Sequence, residues 1–451
     1  MIRLYIFFLN FKLFNFTILN NSNSKQQNIL ISIKHIRERP EFVQDALVQK
    51  GYEGSILDIN VLDLKFRKKT KSLEDKRAEK NLVSKQVAAL KRAGDNADSK
   101  IAEMRKLGDI IKSLELELTE LSTQLNLKLE EIPNIPHLSV PLGKDERENV
   151  IIREWGDKPV FNYQEKTHQE LGKNLKLFDL ERGSKISGSG FPLYTGRGAQ
   201  LERKLINCMI DHHVNNYDFT EIFPPVLILE ESMRTTGQLP KFKEDMYISD
   251  LDQLYLAPTA EVPITNIHRD EILSENDLPI NYVAYSPCFR RESGSYGKDS
   301  RGLLRLHQFN KVEMVKFVKP EESYESLEKL VLQAESILQK LGITYRVIEL
   351  CTGDLGFSAS KCYDIEIWSP GEKQWLEVSS CSNFEAFQSR RGKIRYRSGA
   401  DKKVRLLHTL NGSGLATPRL MVALLETYQT EQGGIVFSDS AADFIGMKEI
   451  K

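Results

Sequence analysis

Residues 56–131 contain no proline and only one sharp break, Ala93-Gly94-Asp95-Asn96-Ala97-Asp98-Ser99. Gly, Asn, Asp and Ser clustered in this way mark a turn between two helices. After the break, Leu107, Ile111, Leu114, Leu118, Leu121 and Leu125 alternate spacings of four and three, which is an a/d seam of three heptads. Before it, Phe66, Leu73, Val83, Val87 and Leu90 form a weaker, partly matching seam. Two long helices joined by a short turn fold back on each other as an antiparallel coiled coil. The second helix, roughly 33 residues at about 1.5 Å each, spans about 50 Å. A rod of that length projects beyond any globular body, so the chain must combine a hairpin arm with a separate domain.

Charge is unevenly spread along this plan. Lys and Arg number 63, as do Asp and Glu, so the formal net charge is zero. Residues 65–92 nevertheless hold eleven bases (Lys65, Arg67, Lys68, Lys69, Lys71, Lys76, Arg77, Lys80, Lys85, Lys91, Arg92) against Glu74, Asp75 and Glu79, a balance of +8. Bases along a rod can displace counterions from a nucleic-acid backbone, so this helix is either a phosphate-binding face or a solvated coiled-coil surface. Residues 1–37 carry five bases (Arg3, Lys12, Lys25, Lys34, Arg37) and no acid. Asn10, Lys12 and Asn15 interrupt any run of the ~20 apolar residues that a bilayer span needs. A basic, acid-free leader fits an organellar transit peptide better than a secretory signal. We expect a leader over residues 1–34, a mitochondrial matrix location and no membrane partner; the alternative is a disordered extension on a cytoplasmic protein.

Pro133, Pro136 and Pro141 end the helical region. The boundary is placed near residue 145, giving an arm over 35–145 and a body over 146–451. Within the body the patterns predict helices over 200–215, 321–341 and 419–428. Strand-like runs cover 219–228, 254–256, 283–289, 309–318, 345–349, 364–368 and 374–378. Several runs lie too close together for βαβ crossovers, so the sheet is expected to be antiparallel and the fold class α+β. Forty per cent hydrophobic and 28% charged residues exclude a disordered, collagen-like or polytopic membrane chain. Five cysteines without a CxxC pair exclude a disulfide scaffold and a zinc ribbon. No GxxxxGK[ST] loop occurs, nor a GxGxxG after a strand, so a Walker or Rossmann nucleotide site is not indicated.

Four pieces of the body place charges inside apolar strand patterns. They are PTAE at 258–261, FRRE at 289–292 with RGLLRLHQFNKVE at 301–313, WLEVSSCSN at 375–383, and LNGSGLATPR at 410–419. Together they can bring several arginines, carboxylates and hydroxyls to one cleft. Arginine suits phosphate, because its planar fork donates two hydrogen bonds at once. A carboxylate and a hydroxyl on one strand suit Mg²⁺, which prefers oxygen ligands. Taken singly, a piece such as FRRE is more often a surface ion pair.

In order and spacing, these pieces make the chain resemble the seryl-tRNA synthetases, a family of class II aminoacyl-tRNA synthetases, of an organellar, bacterial-type form. The resemblance runs over residues 35–445 and includes the basic arm and the IPNIPHLSVPLGKDERENV junction. The helix from Leu201 into FTEIFPPV resembles motif 1, the dimer interface of the class, and implies a homodimer. FRRE…RGLLRLHQFNKVE resembles motif 2, and NGSGLATPR motif 3. The family has a Gly where this chain has Asp218, which is able to adopt a left-handed turn.

The resemblance implies catalytic roles for Arg290, Glu377 and Arg419. Arg290 is expected on the α-phosphate and substrate carboxylate, Glu292 near adenine, Phe309 stacked on adenine, and Arg419 with Arg305 on the distal phosphates. Arg291, Val378 and Ser379 complete the expected ATP site. Glu377 and Ser380 are expected to hold Mg²⁺. Thr259, Ala260, Glu261, Glu313, Asn411 and Ser413 are expected around serine, with Arg290 reaching its carboxylate and Glu313 accepting from its hydroxyl. Lys68, Lys69 and Arg77 are expected on tRNA. The implied activity is ATP-dependent ligation of L-serine to tRNA(Ser). Zinc is not expected, since Cys208, Cys288, Cys351, Cys362 and Cys381 lack ligand spacing, and His212-His213 reads as surface or interface. Two other readings are an amino acid:carrier-protein ligase, which would lack the arm, and a non-catalytic RNA-binding paralogue, which would lack Arg290, Glu377 or Arg419.

Overall fold

The computed structural model describes residues 33–293 and 302–451. Residues 1–32, which hold nearly all of the expected leader, and the Gly/Ser-rich loop 294–301 lie outside them. The chain forms two compact units, which meet in sequence between Pro133 and Asn134.

The first unit contains α1 (Ile33–Glu38), α2 (Pro40–Gln49), α3 (Leu57–Ala93) and α4 (Asp98–Glu130). α3 stops at Gly94, whose φ of +79° is the left-handed cap that glycine adopts without steric cost. Asn96 then accepts the Asp98 N–H at 2.7 Å, closing a local turn that leads into α4. The heptad seam closes in two clusters. Leu73 packs against Ile111, Leu114 and Leu118, while Val83, Val87 and Leu90 pack against Ala97, Ile101, Met104 and Leu107. The buried Asp63 carboxylate receives Arg37 at 2.5 and 2.7 Å and Arg67 at 2.9 Å, tying α1 to α3. Burial would raise that carboxyl, but the two guanidiniums outweigh it and hold it below its ordinary value.

Residues 134–141 join the second unit, so the arm ends before the expected boundary near 145. Prolines cannot continue a helix, and the extended run bonds to the body instead. The Asn134 side chain donates to Ser358 O at 3.0 Å and Phe384 O at 2.8 Å, and the His137 N–H donates to Ser360 O at 2.8 Å.

The body is built on β1 (Val150–Trp155), α5 (Gly196–Asn216), β2 (Thr220–Glu221), β3 (Ile280–Phe289), β4 (Gln308–Val318), α6 (Ser323–Leu341), β5 (Tyr345–Glu349), β6 (Lys361–Ser369), β7 (Gln374–Glu385), β8 (His408–Ala416) and α7 (Thr417–Thr427). The strands form one sheet in the order β1-β5-β6-β7-β8-β4-β3-β2. Every pairing is antiparallel except β2 with β3. α6 shows why helices cover it: Leu327, Leu330, Val331, Ala334, Ile337, Leu338 and Leu341 recur at helical spacing and are fully buried. Each such leucine contributes about 2 kcal/mol by leaving water. Gly412 on β8 lets α6 close on the sheet, since a Cβ there would lie 2.7 Å from Cys381 Sγ and 3.1 Å from Leu330.

Four expectations change. The run at 219–228 is two strand pieces in different sheets, because Pro224-Pro225 supplies no ladder donors. β8 is a central strand whose Asn, Gly and Ser content hid it from a propensity reading. Asp218 is not among the residues with positive φ; its carbonyl instead accepts from Asn281 at 3.0 Å. His212 and His213 are buried rather than at the surface, with the His213 ring against Gly414.

Candidate active site

Motif residues from five segments converge on a cleft of about 630 Å³. In a strand, alternate side chains share a face, so Phe309, Lys311 and Glu313 of β4 point into the cleft together. β8 pairs Ser413 directly with Glu313 and brings Asn411 alongside. Thr259 and Glu261 arrive at the start of a short helix, Glu261–Thr265.

One end of the cleft is an acidic pocket whose polar groups satisfy one another. Thr259 donates to Glu313 Oε2 at 2.9 Å, and Lys311 forms a buried ion pair with the same oxygen. Asn411 divides its amide between Glu313 Oε1 at 3.1 Å and Glu261 Oε2 at 3.0 Å. Gln388 donates to Glu261 Oε1 at 2.6 Å, its own oxygen fixed by Thr409 at 2.8 Å. Burial, and then the charge of Glu313, push the Glu261 carboxyl up to about 7, against the pull of Lys311, Gln388 and Arg290. With both acids ionised, two carboxylates face one lysine, and the excess negative charge suits a substrate ammonium.

The other end is lined by arginines. The Arg290 guanidinium lies 5.2 Å from the centre of the Phe309 ring, and its Nε donates to Pro258 O at 3.3 Å. Arg305 pairs with Glu292 at 2.7 Å. Glu292 has a φ of +51°, a left-handed turn at the end of the hairpin strand. Arg419, in the first turn of α7, donates to Glu377 O at 2.7 Å and Leu304 O at 3.3 Å, with its guanidinium 3.7 Å from the Glu377 carboxylate. Glu377, Ser379 and Ser380 of β7 also line the cleft. Opposite Ser380 on β6 stands Asp364, whose carboxyl is held well above the ordinary range by burial and by the charge of Glu377.

Thr259, Glu261, Glu313, Asn411, Ser413, Arg290, Glu292, Arg305, Phe309, Glu377, Val378, Ser379, Ser380 and Arg419 all line this cleft. Ala260 and Arg291 do not: Ala260 packs in the core beside Ile264 and Ala284, and Arg291 lies over Tyr247 at 5.8 Å. The structure adds Lys311, Gln388 and Asp364. Lys311 was legible as a charge in an apolar strand. Gln388 carried no sequence signal, because its meaning is a contact with a residue far away in the chain. In the arm, Lys68 is exposed, while Lys69 pairs with Glu117 at 2.5 Å and Arg77 with Glu115 at 2.7 Å.

Known proteins share both units. The seryl-tRNA synthetase N-terminal domain model matches residues 30–136, and the class II tRNA synthetase core domain model (G, H, P, S and T) matches 242–428. A serine–tRNA ligase of Thermodesulfovibrio yellowstonii is 50% identical over 425 residues, covering 94% of this chain and all of that one. The crystal structure of seryl-tRNA synthetase from Pyrococcus horikoshii, complexed with ATP, superposes with a TM-score of 0.87 at 38% identity, over 93% of this chain and 99% of that one. A cytoplasmic serine–tRNA ligase from Naegleria fowleri, in complex with AMP, gives 0.83 at 26% identity over 94% and 99%. With both halves matched and half of the residues identical over nearly its whole length, the chain belongs to the seryl-tRNA synthetase family of class II aminoacyl-tRNA synthetases.

Proposed function

We propose that this chain is an ATP-dependent serine–tRNA ligase, which forms seryl-adenylate and transfers the seryl group to tRNA(Ser). The observation that carries this reading is the joining, in one cleft, of an acidic ammonium pocket to an arginine-lined groove. Serine lies with its ammonium toward Glu261 and Thr259, its hydroxyl toward Glu313, and its carboxylate toward Arg290. The carboxylate attacks the α-phosphorus of ATP in line, the bond to the bridging oxygen breaks, and pyrophosphate leaves. A carboxylate is already ionised at neutral pH, so no general base is required. Catalysis is positioning plus neutralisation of phosphate charge by Arg290, Arg305 and Arg419. A ribose hydroxyl of the tRNA then takes the seryl group and AMP departs. Alanine binds less well because it forgoes the hydrogen bond that the serine hydroxyl adds to Glu313 and leaves the space beside that carboxylate unfilled.

Glu377 and Ser380 offer only oxygen donors, and the repulsion between Glu377 and Asp364 is of the kind that a divalent cation relieves; both fit Mg²⁺. Bound there with ATP, the ion supplies charge neutralisation on the polyphosphate. The +8 stretch of α3 supports tRNA phosphate binding through Lys68, Lys69 and Arg77. Exposed Phe223, Leu227 and Leu229 around Pro224-Pro225 support a homodimer through this face. The basic leader over 1–34 supports mitochondrial import, tested by following the location of a chain that lacks it.

The decisive assay is serine-dependent ATP–pyrophosphate exchange followed by charging of organellar and cytosolic tRNA. Exchange with charging is expected. Exchange without charging would favour a carrier-protein ligase, and no exchange a non-catalytic paralogue.

A further inference from the structure

We propose that His168, fixed by Glu426, is a positioning residue for the ATP side of the cleft. This rests on the ligase reading above and assigns a role to a buried cluster outside the substrate-lining residues.

His168 opens the helix His168–Asn174 and is fully buried. Its Nδ1 lies 3.0 Å from Glu426 Oε1 and 3.3 Å from Glu372 Oε1. Its Nε2 faces the Leu303 N–H at 3.2 Å. An amide N–H can only donate, so Nε2 must carry the lone pair and the proton must sit on Nδ1, toward the carboxylates. Glu426 is held in turn: it accepts the His168 N–H and the Gly371 N–H, each at 2.9 Å, and the Ser369 hydroxyl. The tautomer is therefore set by the fold.

The bond to Leu303 anchors the stretch of chain that carries the phosphate-side groups. Leu303, Leu304 and Arg305 line the cleft, Arg305 pairs with Glu292, and Leu304 O accepts from Arg419. Glu426 and Arg419 both stand on α7. A circuit therefore leaves α7 at Glu426, crosses His168 to the motif 2 hairpin, and returns to α7 at Arg419. Gly302 reflects how close the approach is. Its φ is +61°, and a Cβ there would sit 2.1 Å from His168 Nε2. The ligand atoms of His168, Glu372 and Glu426 lie within 4.8 Å of one another, which would also suit a metal. Both ring nitrogens are already engaged in hydrogen bonds, so we assign a clamp.

The test measures ATP–pyrophosphate exchange by the full-length protein and by His168→Phe, His168→Gln and Glu426→Gln, normalised by titration of active sites. His168→Phe keeps the ring but loses the acceptor, and should raise KM for ATP ~10-fold while KM for serine moves less than about twofold. His168→Gln can still accept from Leu303 and donate to Glu426, and should recover most of the loss. If His168→Phe does not fold, Glu426→Gln keeps the test alive. Its NH2 replaces one of two oxygens that each accept a backbone N–H, from His168 or from Gly371, so the hold on His168 weakens and the same ATP-selective rise is expected. A purely structural role would lower the active fraction and leave both KM values alone. The proposal is overturned if KM for ATP stays within about twofold in these variants, if both KM values rise together, or if bound zinc is lost on substituting His168. Failure of the unmodified chain to exchange with serine would instead overturn the ligase reading, before any variant is compared.

Discussion

Glu261 should make serine recognition sensitive to pH in the neutral range. The perturbation is acidification from pH 8 to 5.5, at saturating ATP and Mg²⁺. With its carboxyl pushed up to about 7 by burial and by Glu313, Glu261 is mostly ionised at pH 8. The ionised share falls to about a tenth at pH 6 and about a hundredth at pH 5. If only the ionised pocket binds the ammonium well, KM for serine should rise about tenfold per unit below pH 7 and flatten above pH 8. Exchange kinetics at varied serine measure this, with KM for ATP at each pH as the control for phosphate titration. Glu261→Gln should start with a high KM and show no slope. A serine KM that is flat within about twofold from pH 8 to 6, or a Glu261→Gln variant with the original slope, would refute this account. Stability responds in the opposite sense. A carboxyl raised from 4.5 to about 7 contributes stability below pH 4.5 and loses it, about 3 kcal/mol, as pH rises through 7. The melting temperature of the ligand-free protein, taken relative to that of Glu261→Gln, should therefore fall between pH 5 and 7.5.

Glu313→Ala should abolish serine-dependent exchange and lower stability by about 3–5 kcal/mol, since it strands the buried Lys311 charge; exchange assays and urea denaturation check both. Arg419→Ala and Arg290→Ala should each cost ~10²-fold or more in exchange rate, with the fold intact by circular dichroism. The triple variant Lys68→Ala, Lys69→Ala, Arg77→Ala should weaken charging and flatten its salt dependence by about three units of slope at most, leaving exchange unchanged. Since Lys69 and Arg77 also bridge α3 to α4, Lys68→Ala alone isolates the effect on tRNA.

The arm was legible because its pattern is local: heptad leucines, a Gly-containing turn and a run of bases all lie within a hundred residues. The body was legible where a charge broke an apolar strand, as at Lys311 and Glu313, and where a proline ended a helix. It was not legible where meaning depends on a distant partner. Gln388 matters because it holds Glu261, 127 residues away in the sequence, and Asp364 because β6 runs beside β7. β8 escaped because its Gly and Asn weaken strand propensity while their small size allows close packing. In the TAE and FRRE signatures the intervening side chains, Ala260 and Arg291, pack away from the cleft, a direction that the sequence alone does not give.

Asn411 holds two acids with one amide. An amide cannot ionise, so its bridge adds no charge of its own and does not depend on which acid carries a proton. Charge and form are thus decoupled in the pocket. Protons can come and go from Glu261 while the walls stay where β4 and β8 set them. A side chain too large for serine's place meets the same barrier in acid as at neutrality, so affinity fades with pH while discrimination by size endures.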